Sequence, residues 1–76
     1  MPTRNEEYYE NFARNLKTLR QNANLTQKQL GIAIGVAEKS AENTIQNWEY
    51  KRQLPSLTKL RPLAKALGVT LEELIP

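Results

Sequence analysis

The stretch LTQKQLGIAIG at residues 25–35, together with TIQNWE at residues 44–49, decides the fold that this sequence predicts. Thr26 is a favourable N-cap for a short helix, because its hydroxyl can accept a hydrogen bond from a free N–H of the first turn. Gly31 permits the close approach of a second helix, and Gly35 is placed to end the first one. The helical spacing assigns three apolar residues to the buried side: Leu30, Ala33 and Ile34.

A further helix is predicted over residues 41–50, with Ser40 as its N-cap. An apolar stripe would anchor this helix in the core, and it consists of Ala41, Ile45 and Trp48. The opposite side is polar and carries Asn43, Gln46, Asn47 and Tyr50, with Glu42 on its flank. Two such helices form a helix-turn-helix, in which the first braces against the DNA backbone and the second enters the major groove.

The polar side has a chemical use in reading DNA bases. The amides of Asn and Gln present a donor and an acceptor side by side, which matches the N6/N7 edge of adenine. Glu42 can accept a hydrogen bond from cytosine N4, or it is simply an acid favoured near a helix N-terminus. The same residues are also compatible with an ordinary solvated helix surface, because Asn and Gln are mostly exposed in proteins.

The N-terminal third predicts one amphipathic helix over residues 8–22. The polar residues 1–7 before it are expected to be disordered. Asn24 follows the helix where a left-handed capping residue is expected, and Asn often takes that place when Gly is absent.

The C-terminal third predicts two more helices. Ser56 would cap the first of them, Gly68 would end it, and Pro62 inside it would remove one hydrogen bond. Thr70 and Glu73 have the spacing of a capping box for a short last helix. A stripe of leucines is assigned to the core, at positions 57, 60, 63, 67 and 71. The predicted fold class is therefore all-α, a compact bundle of five helices.

Composition excludes several classes of protein. With 76 residues the chain is expected to form a single domain, residues 1–76. It has no Cys, His or Asp, so a disulfide, a metal site or a cofactor is not expected. The same absence removes the usual general bases and thiol nucleophiles, which argues against an enzyme. No apolar run approaches the roughly 20 residues that span a bilayer, so we expect a cytoplasmic protein without membrane contact.

The net charge of +3 is unevenly distributed along the chain. Residues 11–65 hold ten Lys and Arg against three Glu, a net charge of +7. Residues 1–10 and residues 66–76 each carry a net charge of −2. A basic middle suits a polyanionic partner, although a solvated helical surface is the alternative explanation.

Taken together, LTQKQLGIAIGV, TIQNWE and PSLTKLRPLAKALGVTLEELI resemble the Cro/repressor-type, lambda-repressor-like helix-turn-helix domain of phage and bacterial regulators. The resemblance covers residues 9–75. It implies a bacterial or phage-encoded transcriptional regulator, a repressor, that binds double-stranded DNA through its third helix. It also implies a homodimer on a palindromic site, and no small-molecule site is evident.

The resemblance assigns roles to individual residues. Arg20 would pair with Glu49 and tie the first helix to the third, while Ile45 and Trp48 are structural. Base reading would fall to Glu42, Asn43, Gln46 and Asn47. Contacts with DNA phosphates would come from Gln27, Lys28, Lys39, Tyr50, Lys51 and Arg52.

Two departures from the family pattern bear on these assignments. Residues 35–48 are longer than usual by about one helical turn, roughly four residues, and the extra length lies near residues 37–41. The addition could lengthen the third helix or enlarge the turn before it. Tyr50 and Lys51 replace the usual Asn-Gly, so the turn there forms without Gly or the helix runs further.

A protein-interaction module that keeps this fold is the alternative function. Fold alone does not decide between the two, and the leucine stripe could in principle serve a protein partner.

Overall fold

The computed structural model describes residues 4–50 and 53–75, and these residues contain five helices and no strand. The helices are α1 (Arg4–Asn22), α2 (Gln27–Ala33), α3 (Glu38–Glu49), α4 (Leu57–Leu67) and α5 (Leu71–Leu74). The predicted all-α, five-helix fold is confirmed.

Local capping residues set most of the helix ends. The Thr26 hydroxyl accepts a hydrogen bond from the Gln29 N–H, and the Gln29 side chain accepts one from the Thr26 N–H. Thr70 and Glu73 form the same capping box before α5. Left-handed backbone follows three helices, at Asn24 (φ 59°), Gly35 (φ 92°) and Gly68 (φ 72°). These ends agree with the sequence predictions, because each depends on residues within one turn of the end.

The core draws apolar side chains from all five helices. Its buried members are Phe12, Leu16, Leu30, Ile34, Ile45, Trp48, Leu63, Ala64, Leu67 and Leu74. Ile45 and Trp48 thus anchor α3 as predicted, and the buried leucine positions of α4 hold the bundle closed. Asn15 on α1 donates hydrogen bonds to the carbonyls of Glu73 and Leu74, which fastens the end of α5 to α1.

Two predicted helix starts were wrong. α1 begins at Arg4, one turn before the expected start at residue 8. α3 begins at Glu38, so Ser40 lies inside its first turn and is not the N-cap. The N-cap is Ala37, whose methyl group cannot form a capping hydrogen bond. The added residues continue the helix because Ala, Glu and Lys are good helix formers and Ala41 is held against α2.

Three apolar residues assigned to the core are instead exposed. Ala33 lies on the solvent side of α2. Leu57 is 84% exposed at the first position of α4, and Leu71 is exposed at the first position of α5. Each of these residues lies at an end of its helix, where the apolar stripe runs past the edge of the neighbouring helices. α4 itself continues through Pro62 without interruption.

Candidate nucleic-acid interface

α2 and α3 cross at very close range, and this crossing sets the position of α3. Gly31 is buried at the contact, and a Cβ atom built on it would lie 2.6 Å from the Cβ and the carbonyl oxygen of Ala41. Real side chains do not approach so closely, so only glycine allows this distance between the two helices. α2 therefore acts as a brace for α3.

A buried carboxylate, that of Glu49 at the end of α3, ties three helices together. Arg20 on α1 donates from Nε to Glu49 Oε2 over 2.6 Å and from Nη2 to Oε1 over 3.2 Å. Gln27 on α2 donates from Nε2 to Oε1 over 3.1 Å. The side chains of Arg20 and Glu49 are only 11% and 1% exposed. The ion pair expected from the sequence is thus present, and the amide of Gln27 is held beside it.

A second, exposed ion pair joins α2 to the other end of α3. Lys28 Nζ lies 3.2 Å from Glu38 Oε1, with side chains that are 50% and 74% exposed. Gln27 and Lys28 are neighbours in sequence, yet they contact opposite ends of α3. These two contacts and the contact between Gly31 and Ala41 hold α3 against α2 at both of its ends and near its first turn.

The outer face of α3 is a straight row of four residues: Lys39, Asn43, Gln46 and Tyr50. Their spacing of four, three and four residues places them on one side of the helix, opposite the buried Ala41, Ile45 and Trp48. The row extends over about 16 Å, at 1.5 Å per residue. Gln46 is half-buried and the other three are exposed. The row presents an ammonium group, two amides and a phenol to a partner.

The two outer members of the predicted base-reading set lie at the edges of this row. Glu42 lines a polar groove of about 390 Å³ together with Gln27, Glu49 and Tyr50. Asn47 lies on the opposite edge, where its Nδ2 is 3.5 Å from the side-chain oxygen of Gln53. The structure therefore places Asn43 and Gln46 in the middle of the exposed face, with Glu42 and Asn47 on either side.

Four of the six predicted phosphate-contacting residues lie among the described residues, in the row or at the start of α2. Lys39 and Tyr50 belong to it, while Gln27 and Lys28 come from the start of α2. Lys51 and Arg52 lie outside the described residues.

Lys17 is a candidate that sequence reasoning missed. Its side chain is exposed on α1 and lines the same groove as Gln27, Glu42 and Tyr50. A signal was present in the sequence, because Lys17 lies one turn before Arg20, whose contact with Glu49 was expected. The packing of α1 against α3 is what places Lys17 in this groove, and the sequence alone does not show that packing.

Comparison with known proteins gave one match. The family model described as Helix-turn-helix matches residues 16–74, which contain α2 to α5 and the last turns of α1. No curated protein and no solved structure matches the chain. Among the described residues, no helix is both long and apolar enough to cross a membrane.

Proposed function

Because the chain belongs to the Cro/C1-type, lambda-repressor-like helix-turn-helix family of DNA-binding transcription regulators, we propose that it represses transcription by inserting α3 into the major groove. The match covers most of the chain and includes both helices of the motif. DNA binding belongs to the family as a whole. The repressor role, the groove and the contacting residues are what this proposal adds.

The observation that supports insertion of α3 is the arrangement of its outer face. An α-helix with its side chains is 10–12 Å wide, and the major groove is about 12 Å wide. The row of Lys39, Asn43, Gln46 and Tyr50 would therefore face the base edges along its length. The acidic residues of α3 lie on the side facing α1 and α2, away from the centre of this row.

We assign base reading first to Asn43 and Gln46. Each amide can donate a hydrogen bond to adenine N7 and accept one from the adenine N6 amino group, a contact worth about 1–3 kcal/mol of discrimination. Glu42 and Asn47 would reach bases at the two edges of the row. Glu42 suits a cytosine N4 amino group, because a carboxylate only accepts hydrogen bonds.

We assign phosphate contacts to residues of the outer row, of the two neighbouring helices α1 and α2, and of the segment that follows α3. Gln27 keeps one N–H free of the bond to Glu49 and can donate it to a phosphate oxygen. Lys17 and Lys28 add cations from α1 and α2. The remaining contacts would come from Lys39, Tyr50, Lys51 and Arg52. Such contacts fix the position of the domain on DNA and carry no sequence information.

The functional unit that we propose is a homodimer on a palindromic site. In that arrangement the two copies of α3 would enter successive major grooves, about 34 Å apart. We further propose that the protein acts in the cytoplasm of a bacterium, encoded by the cell or by a phage.

A titration of the wild-type protein with random duplex DNA at increasing salt tests the proposal. The logarithm of the affinity should fall linearly with the logarithm of the salt concentration, by about 0.9 for each phosphate neutralised. Selection of bound sites from a random DNA pool should then return a palindrome. Absent or salt-insensitive binding would instead favour a protein-interaction module.

A further inference from the structure

The proposed function leaves the acid at the start of α3 unexplained. Glu38 lies in the first turn of the helix that would approach DNA, and its side chain is 74% exposed. A carboxylate at this end of α3 can oppose DNA binding in two ways, by repelling phosphates directly or by occupying a cation that would otherwise contact them. Its partner in the structure is Lys28, a residue to which the proposed function gives a phosphate contact.

The three acids of α3 share one side of the helix but differ in how firmly they are held. Glu49 is buried and accepts hydrogen bonds from Arg20 and Gln27, so its charge is neutralised within the domain. Glu42 lines the groove with Lys17. Both side chains of the pair between Lys28 and Glu38 are exposed, and an exposed pair of this kind is weak because water and salt screen it. A phosphate can therefore displace Glu38 from Lys28.

We propose that Glu38 is a positioning residue that holds Lys28 against α3 and so withholds one cation from the DNA backbone. The inference rests on the proposed function. In the free protein the Lys28 ammonium is occupied by a carboxylate of the added helical turn. When the protein binds DNA, the ammonium of Lys28 exchanges that carboxylate for a phosphate. The ion pair between Lys28 and Glu38 is therefore broken each time a complex forms. Glu38 thereby lowers the sequence-independent affinity of the protein for DNA.

The test compares Glu38→Gln with Glu72→Gln, using random-sequence duplex DNA over a range of salt concentrations. Both substitutions remove one exposed negative charge, but Glu72 lies on α5, which packs on α1 and α4. Glu38→Gln should bind about two- to five-fold tighter than Glu72→Gln, the range expected for an exposed ion pair. The difference between the two variants should shrink as the salt concentration rises, because salt screens the exposed ion pair that Glu38→Gln removes.

The same comparison in a Lys28→Gln background separates positioning from simple repulsion. If Glu38 acts through Lys28, replacing Glu38 should no longer raise the affinity beyond the effect of Glu72→Gln. A gain that persists without Lys28 would show direct repulsion of phosphates and overturn the inference. Equal behaviour of Glu38→Gln and Glu72→Gln in the wild-type background would overturn it as well.

The outcome also distinguishes this inference from the proposed function. A wild-type protein that binds duplex DNA with a normal salt dependence, but whose Glu38 variant matches the control, refutes only the role of Glu38. A wild-type protein that binds no duplex DNA at low salt refutes both. Helical circular dichroism of each variant checks the fold, which these exposed side chains should not alter.

Discussion

At the scale of single residues, the proposed interface depends on one buried carboxylate and on one row of side chains along the outer face of α3. Glu49 accepts hydrogen bonds from two helices, and its charge is neutralised by Arg20 where water has little access. Asn43 and Gln46 stand on the opposite side of α3 from the core. The buried carboxylate positions the helix, and the amides of Asn43 and Gln46 would read the bases.

Removal of Arg20 should destabilise the domain strongly. Arg20→Ala would leave the carboxylate of Glu49 buried with only Gln27 as a partner. Breaking a buried pair from one side costs about 3–5 kcal/mol. Urea denaturation followed by circular dichroism measures the loss. Arg14→Ala, an exposed change on the same helix, is the control and should stay within about 0.5 kcal/mol of the wild type. An equal loss for both variants would contradict the role of the ion pair.

Replacement of Gln46 should reduce sequence discrimination. Gln46→Ala should weaken binding to the selected site by about 1–3 kcal/mol, while affinity for random DNA stays nearly unchanged. Lys17→Gln provides the contrast, because loss of a phosphate contact should weaken both complexes alike and reduce the salt dependence by about 0.9. Competition titrations with the two DNAs measure the ratio. If Gln46→Ala weakens both complexes equally, α3 does not read bases through this residue.

At the scale of helices, the decisive feature is the crossing of α2 and α3. The contact at Gly31 permits the close approach, and polar contacts from Gln27 and Lys28 hold both ends of α3. The added turn at residues 38–41 belongs to α3 and carries Ala41, the residue that meets Gly31. The lengthened helix is therefore integrated with the brace and extends the outer row by Lys39.

A methyl group at Gly31 should disrupt this crossing. Gly31→Ala gains about 1 kcal/mol in helix propensity, but overpacking typically costs about 1–3 kcal/mol and occasionally more. The clash should outweigh the gain, since two of the three nearest atoms belong to the backbone of Ala41 and cannot rotate away. Thermal unfolding measures the net loss, and Ala41→Gly should restore only part of it. A variant as stable as the wild type would contradict the tight crossing.

At the scale of the whole molecule, one small core supports the interface. Apolar residues of all five helices form one buried cluster, which includes Trp48, Leu63 and Leu74. A chain of this length buries only about 60% of the surface that its unfolded form exposes, so its stability is modest. The position of α3, and with it the proposed reading of bases, therefore depends on a core of modest stability.

Loss of Trp48 should unfold the domain. Trp48→Ala removes a large buried side chain from the core, a change that costs about 3–5 kcal/mol. Tyr50→Ala is the matched control, because Tyr50 is an exposed aromatic residue just after α3. Far-UV circular dichroism during thermal unfolding should show a large loss for the first variant and almost none for the second. A Trp48→Ala variant with wild-type stability would contradict the burial of this side chain.

The sequence alone predicts the helical class, the number of helices and most of their ends. It also predicts the apolar stripe of α3 and the pair of Arg20 with Glu49, the latter through family resemblance. The helix ends and the stripe depend on residues within a turn or two of one another, and such local patterns can be recognised in the amino-acid sequence. The first residue of α3 could not be predicted, because Ala37 has no side chain that can cap a helix. The residues that follow it have high helix propensity and give no signal of a boundary.

The packing of the helices determines which polar residues share a surface. It places Lys17 in the same groove as Gln27, and it brings Gln27 into hydrogen-bond contact with Glu49. It also pairs Glu38 with Lys28. In addition, it separates Asn43 and Gln46 from the residues at the edges of the row. Three of these relations join residues that are ten to 22 positions apart. They follow from the distance and angle between packed helices, which core packing sets and residue spacing alone does not.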